Sequence, residues 1–257
     1  MMEQQERLDF MLGLLIAERG DEIAIPEGNA NKRALYRALV NVRPPKPAPE
    51  GFLPVQDAFL QEEARRKGIV TLEDIPPCPV NPRVSLWRGD ITRLRVDAIV
   101  NAANSTLMGC FVPGHGCIDN AIHTAAGVQL REECAALMRR QGRPEGTGQA
   151  KLTKAYNLPS QFVLHTVGPI VRGELTDKHR AQLARSYRSC LELAEREGLK
   201  SVALCCVSTG EFCFPNREAA EIAVSAVRDF LARNLSTRVV FCVFKEVDET
   251  IYRGLLR

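Results

Sequence analysis

The sequence lacks the features that mark a membrane, nucleic-acid-binding or exported protein. No apolar run approaches the roughly 18 residues that a membrane-spanning helix needs. Neither sign of charge prevails: 34 lysines and arginines stand against 31 aspartates and glutamates, a net charge of +3. That balance leaves no broad basic surface for nucleic acid or an anionic bilayer, although a single loop could still hold a phosphate-bearing small ligand. No repeat or low-complexity tract is present. A cleavable export signal is also missing, because Glu3 and Glu6 sit beside Arg7 and the run Phe10 to Ala17 leads into charges rather than small residues. Nine cysteines without such a signal imply a reducing, cytoplasmic setting, in which cysteines are core residues or metal ligands before they are disulfides.

What is present is an ordinary globular composition, 45% hydrophobic and 25% charged over 257 residues, enough for one large domain or one domain with an extension. Residues 1 to about 42 carry helical periodicity, in Leu8, Met11, Leu12, Leu15 and Ile16 and again in Leu35, Leu39 and Val40. A proline-rich joint, Arg43 to Gly51, interrupts it, and Phe59 to Lys67 reads as a further short helix. A second break at Pro76 to Pro79 precedes a change of character. The expected division is an N-terminal helical extension over residues 1–80 and a main domain over 81–257.

From there strands and helices alternate. Strands are expected at 84–87, 98–100, 151–156, 162–166, 201–207 and 239–244, with helices at 121–139, 179–197 and 217–233. This pattern predicts an α/β fold with helices on both faces of the sheet. In such folds ligands sit beyond the carboxyl ends of the strands, which singles out two loops, 101–120 and 208–216.

The first loop reads NAANSTLMGCFVPGHGCIDNAIH. Cys110, His115 and Cys117 form C-x4-H-x-C among glycines that let a tight loop turn three side chains toward one point. Two thiolates and an imidazole suit zinc, and three ligands leave a coordination position open for water or substrate. Such residues also occur without metal, as core side chains, though a glycine-rich loop is a poor place to bury three of them. His123 and His165 read as satisfied core histidines, and His179 as an exposed helix residue. Asp119 precedes a helix, where aspartate is a good N-cap, and it also stands where it could orient water or a substrate hydroxyl. In the second loop, VSTGEFCFPNRE, Ser208, Thr209 and Gly210 can offer amides and hydroxyls to phosphate oxygens ahead of a helix.

In order along the chain stand Gly89-Asp-Ile-Thr92, Asn101-Ala-Ala-Asn104, Ile122-His-x-Ala-Ala-Gly127, His165-Thr-Val-Gly-Pro169 and Ser208-Thr-Gly210 with Phe214-Pro215. Over residues 83–245 this series resembles a macrodomain, and GCFVPGHGCIDNAIH resembles the catalytic loop of the zinc-dependent macrodomains. Those occur beside or fused to sirtuin-type ADP-ribosyltransferases and carry an N-terminal helical extension. The resemblance implies a three-layer α/β/α macrodomain with a mixed central sheet, and hydrolysis that frees mono-ADP-ribosylated proteins of ADP-ribose. It implies Asp90 on the adenine amino group with Ile91 beside the base, and Asn101 and Asn104 around the distal ribose. Ser208, Thr209, Gly210, Glu211 and Phe212 would wrap the diphosphate, with Phe212 or Phe214 packing on that ribose.

On the same resemblance Cys110, His115 and Cys117 are the zinc ligands, and Asp119 matches a catalytic-loop aspartate, with Asn104 and His115 completing the catalytic group. The family's genomic company points to a lipoyl-carrier protein as the modified partner. Two departures matter. Many relatives have a further cysteine where this chain has Gly114, and glycine where it has Cys213, which leaves Cys213 open as a fourth ligand. The alternatives are a reader module that holds ADP-ribose without turnover, a zinc site that only braces the loop, and a phosphatase acting on ADP-ribose 1″-phosphate. Residues 1–80 carry none of the loop motifs and read as an accessory layer.

Overall fold

The computed structural model describes residues 2–20 and 22–257. Three helices come first, α1 (Gln4–Arg19), α2 (Asn29–Val42) and α3 (Phe52–Lys67). Five strands follow: β1 (Val70–Thr71), β2 (Pro77–Cys78), β3 (Asn81–Arg88), β4 (Leu94–Arg95) and β5 (Ala98–Ala102). Next are α4 (Ile118–Ala126), α5 (Val128–Gln141), β6 (Ala150–Lys154) and β7 (Phe162–Thr166). The chain ends with α6 (Asp177–Arg196), β8 (Ser201–Leu204), α7 (Asn216–Arg233), β9 (Arg238–Val243) and α8 (Glu246–Leu255). No helix among the described residues is long and apolar enough to cross a membrane.

Seven strands form one sheet in the order β2-β3-β9-β8-β5-β7-β6. Pairings from β3 to β7 are parallel, while β2 on β3 and β6 on β7 are antiparallel, so the sheet is mixed. Helices α6, α7 and α8 pack on one another, while α4 and α5 meet each other and the N-terminal helices. This is the layered α/β arrangement expected from the alternation. The run of parallel strands has a functional consequence. The chain leaves β3 at Gly89, β5 at Ala103, β7 at Val167 and β8 at Cys205, all at one edge of the sheet, and the sequence motifs follow those strands.

Buried apolar side chains form two clusters. The larger surrounds the sheet, with Ile99, Val100, Leu164, Tyr187, Phe230 and Phe241 at its centre. The smaller lies among α1, α2 and α3, through Leu8, Met11, Leu12, Tyr36, Phe52 and Phe59, and it includes Val128 of α5. Gln56 on α3 is fully buried where the two meet: its Oε1 accepts from Val128 N at 3.0 Å and its Nε2 donates to Gln129 at 2.7 Å.

Several boundaries differ from expectation. The single helix expected at 121–139 is two, broken at Gly127. That residue has φ 98°, and a Cβ there would stand 2.6 Å from Gln56 Nε2. Helix α3 starts seven residues before Phe59, because Pro54 falls in its first turn, where a missing N–H costs nothing. Strand β8 stops at Leu204, and 205–207 already belong to the ligand-side loop. The edge strand β6 ends at Lys154, ahead of Tyr156 with its φ of 53°. Helix α8 was not expected. Its first turn is crowded with Glu246, Asp248 and Glu249, and its apolar face reduces to a few residues around buried Tyr252.

Candidate active site

Asn101, next to last in β5, lies directly opposite His165 of β7 in the parallel register, which turns both side chains to one face. There Asn101 is fully buried, and its Nδ2 donates to Asp119 Oδ1 at 2.8 Å and approaches His165 Nδ1 at 3.2 Å. Nδ1 of His165 therefore accepts, which puts the ring proton on Nε2, where Thr153 Oγ1 lies at 2.9 Å. His165 is the satisfied core histidine expected, its pKa lowered from 6.5 to about 3 by burial. Asn101 Nδ2 thus braces Asp119, while its buried Oδ1 has no hydrogen-bond partner among the described residues.

Asp119 is not an N-cap. Helix α4 begins one residue before it, and Cys117 fills the cap, its Sγ accepting from Asn120 N at 3.4 Å. The carboxylate is 5% exposed and faces inward. Besides the Asn101 bond, its Oδ2 lies 3.4 Å from Asn104 Nδ2. Burial raises its pKa to about 6, against the opposing pull of the Asn101 hydrogen bond and the Arg131 charge. It is thus a carboxylate poised for proton transfer near neutrality. His123, one turn along α4, has its Nε2 3.5 Å from Asp119 Oδ1. The sequence reading expected a satisfied histidine; neither ring nitrogen makes a hydrogen bond among the described residues. Burial, with His165 and Arg131 nearby, holds its pKa well below 6.5, so the ring is neutral.

The first loop turns tightly ahead of α4. Asn104 Oδ1 accepts from the backbone N and the hydroxyl of Thr106, and its Nδ2 donates to Gly109 O at 3.0 Å. Gly109 has φ 82°, and a Cβ there would come within 2.8 Å of the His123 ring, so only glycine fits. Beyond it, ligand atoms of Cys110, His115 and Cys117 all lie within 4.8 Å of one another, with Cys110 Sγ 3.7 Å from His115 Nδ1. All three residues are half-buried. The Cys117 thiol is pushed up to about 11, first by burial and further by Cys110 and Asp119 beside it. That crowding of potential negative charge is what a divalent cation relieves, and the soft donor set fits zinc. Cys213 is exposed, with its Sγ turned to Glu211 O, and is not part of this group.

A second trio, His123, Cys134 and His165, is equally close and fully buried. Both nitrogens of His165 are engaged with protein groups, and burial keeps the Cys134 thiol firmly protonated. It packs as core.

The second loop folds on itself. Phe214 N donates to Ser208 O at 2.9 Å, Cys213 N to Gly210 O, and Thr209 Oγ1 to Cys206 O. Ser208 and Cys213 hold left-handed backbone at φ 67° and 54°. Gly168 of the β7 loop makes room, since a Cβ there would stand 2.0 Å from Ser208 Oγ. Phe214 is 1% exposed within the core, whereas Phe212 is half-buried and the more accessible of the two rings. Glu211 is exposed, its Oε1 3.6 Å from His115 Nε2, so the two loops meet there. At the far side, Asp90 Oδ1 accepts from Thr92 N and Oγ1, while Oδ2 has, among the described residues, Lys67 at 3.9 Å. Ile91 beside it is 5% exposed.

Sequence reasoning missed Arg37, Asn41, Asn120 and Arg131, all of which bond to the first loop or to its supports. Asn120 could have been noticed inside the loop motif; the others lie on helices with no local signal.

A Macro domain family model matches residues 100–223. The protein-ADP-ribose hydrolase of Treponema medium is 51% identical over 260 residues, 99% of this chain and 100% of that protein. The protein-ADP-ribose hydrolase of Staphylococcus aureus (strain MRSA252) is 45% identical, over 96% of this chain and 94% of that one. Among solved structures, the Trypanosoma brucei macrodomain in complex with ADP-ribose superposes with a TM-score of 0.67 at 30% identity, covering 90% of this chain and 97% of that one.

Proposed function

The chain belongs to the macrodomain family, and from that premise we propose that it hydrolyses ADP-ribose from mono-ADP-ribosylated proteins with a zinc ion held by Cys110, His115 and Cys117. The observation that carries the reading is one of placement. Three soft ligands converge in the loop that runs directly into Asp119, a buried carboxylate whose pKa is raised to about 6. Binding ADP-ribose alone would need neither. Relatives named protein-ADP-ribose hydrolase over nearly the whole chain support it, as does the ADP-ribose complex of a structural neighbour.

The remote nucleotide is gripped so that the reacting ribose is placed. Asp90 Oδ2 accepts from the adenine amino group, Ser208 to Glu211 wrap the diphosphate, and Phe212 packs on the distal ribose. Asn101 and Asn104 fix the Asp119 carboxylate, which takes a proton from the attacking water or orients a ribose hydroxyl. Neutral His123 beside it carries no charge to quench that basicity. Zinc, when bound, supplies Lewis acidity toward a ribose hydroxyl or the departing oxygen. From the family resemblance alone, the modification reversed would be of sirtuin type, with a lipoyl-carrier protein as the partner to test first.

The test is release of ADP-ribose from aspartate-, glutamate- and serine-linked substrates by the purified protein, before and after chelation and again with zinc restored. Release that stops on chelation and returns with zinc is expected. Tight ADP-ribose binding with no release from any substrate would make the protein a reader instead.

A further inference from the structure

The loop between Cys110 and Cys117 contains Pro113, Gly114 and Gly116, with Gly114 at φ 66°, and one internal backbone bond, His115 N to Val112 O at 3.2 Å. Left to itself such a segment samples many conformations, and ordering it costs conformational entropy at every residue. What fixes it comes largely from α2, more than 70 positions earlier in the chain. Asn41, 1% exposed, accepts from Gly114 N at 2.9 Å. Arg37 Nη2 donates to His115 O at 2.8 Å, and the same guanidinium holds Asn120 Oδ1 through two bonds at 3.0 and 2.8 Å. Asn120 Nδ2 then donates to Val112 O at 3.1 Å. The backbone is thus pinned at three points among the six residues that separate the two cysteines.

Helix α2 is in turn fixed to the main domain. Arg131 of α5 donates from Nη1 to the carbonyls of Val40, Asn41 and Arg43, which the end of α2 leaves without helical partners. Its Nε donates to Met108 O, and its guanidinium lies 4.2 Å from the Phe111 ring. Burial lowers the Arg131 pKa to about 10, so it remains charged at neutral pH.

We propose that Arg37 and Asn41 are positioning residues for the metal-ligand loop, so that the N-terminal helices are a working part of the active site rather than an accessory layer. The proposal rests on the reading above that the trio binds zinc for hydrolysis. Outer-shell partners of metal ligands typically affect metal affinity or activity by 10- to 100-fold, and the same range is expected here.

The experiment uses the full chain with Arg37→Ala, Arg37→Lys, Asn41→Ala and Thr124→Val. Thr124 is the control because Asn41 Nδ2 also donates to its hydroxyl at 3.0 Å, and losing that bond leaves the one to Gly114 intact. Zinc affinity is read by competition with a chromophoric chelator, kcat and KM by release of ADP-ribose, and ADP-ribose affinity by calorimetry. Arg37→Ala and Asn41→Ala should each weaken zinc and lower kcat by about tenfold or more, with ADP-ribose affinity within about twofold. Arg37→Lys, which keeps one donor but not the fork, should fall between. Thr124→Val should match the parent. Wild-type zinc affinity and kcat in both alanine variants would overturn the proposal, as would a Thr124→Val protein as impaired as Asn41→Ala. The two claims separate cleanly. If zinc-stripped parent protein turns over at full rate, the catalytic reading fails, while weakened zinc binding in Asn41→Ala would still uphold the positioning role.

Discussion

The two loops at the active edge are built by opposite means. The first is held by side chains of α2, α4 and α5 reaching its backbone from outside. The second is held mainly by its own backbone, at the cost of left-handed φ at Ser208 and Cys213. On the proposed function, in which the first loop holds zinc and the second a diphosphate, the contrast follows from what each would have to do. Metal ligands act only within a few tenths of an ångström of the right geometry, so their loop needs external braces. A diphosphate is gripped by many weak donors in series, and a self-folded turn supplies them without braces. The first loop should therefore govern turnover, and the second, with Asp90, affinity.

The largest effect that would sharpen this division is at the end of the first loop. Asp119→Asn keeps the shape but removes the proposed base, and should lower kcat by about 10²- to 10⁴-fold, with ADP-ribose affinity nearly unchanged. Steady-state kinetics beside calorimetry checks it, and an equal loss in both would blur the division. On the gripping side, Asp90→Ala removes the acceptor proposed for adenine. It should weaken binding by about 1–3 kcal/mol, and kcat should survive at saturating substrate. An unchanged Kd would take Asp90 out of the site.

The scaffold beneath Asp119 makes a pH prediction. The unfolded chain binds a proton on His165 near the ordinary 6.5, whereas the folded chain resists until about 3. This contribution is therefore complete above about 6.5 and is lost as pH falls toward 3, by about 1.4 kcal/mol per unit. Urea unfolding at pH 7, 6 and 5 should show that slope reduced in His165→Gln; parallel slopes would deny it. The smallest effect compares one substitution in both loops. Gly109→Ala meets a left-handed φ and the His123 ring, and should destabilise by about 1–2 kcal/mol. Gly210→Ala has nothing within 4 Å and no positive φ, and should stay within about 0.5 kcal/mol.

Legibility in the sequence followed range. Motifs such as Asn101 to Asn104 and Ser208 to Gly210 are contiguous, and the parallel strands bring them to one edge as the α/β alternation implied. The capping role expected for Asp119 fails because the helix starts at Ile118, three residues before the expected 121, and a cysteine fills the cap. The break at Gly127 was hidden because the side chain that meets the start of the second helix, Gln56 accepting from Val128 N, lies some 70 positions away. The same distance concealed Arg37 and Asn41: helical periodicity shows which face of α2 is apolar, not what its polar residues will meet.

The most direct test of the central claim is His115→Ala, with folding verified by circular dichroism and zinc measured by elemental analysis. On the proposed function His115 supplies one of three zinc ligands beside Asp119, whereas the adenine and diphosphate contacts are assigned to other segments, Asp90 and Ser208 to Gly210. The account predicts a folded protein without zinc that binds ADP-ribose almost normally and releases none from a modified protein, with kcat falling far more than KM rises. A folded, zinc-free His115→Ala protein that turns over at the parental rate would contradict it.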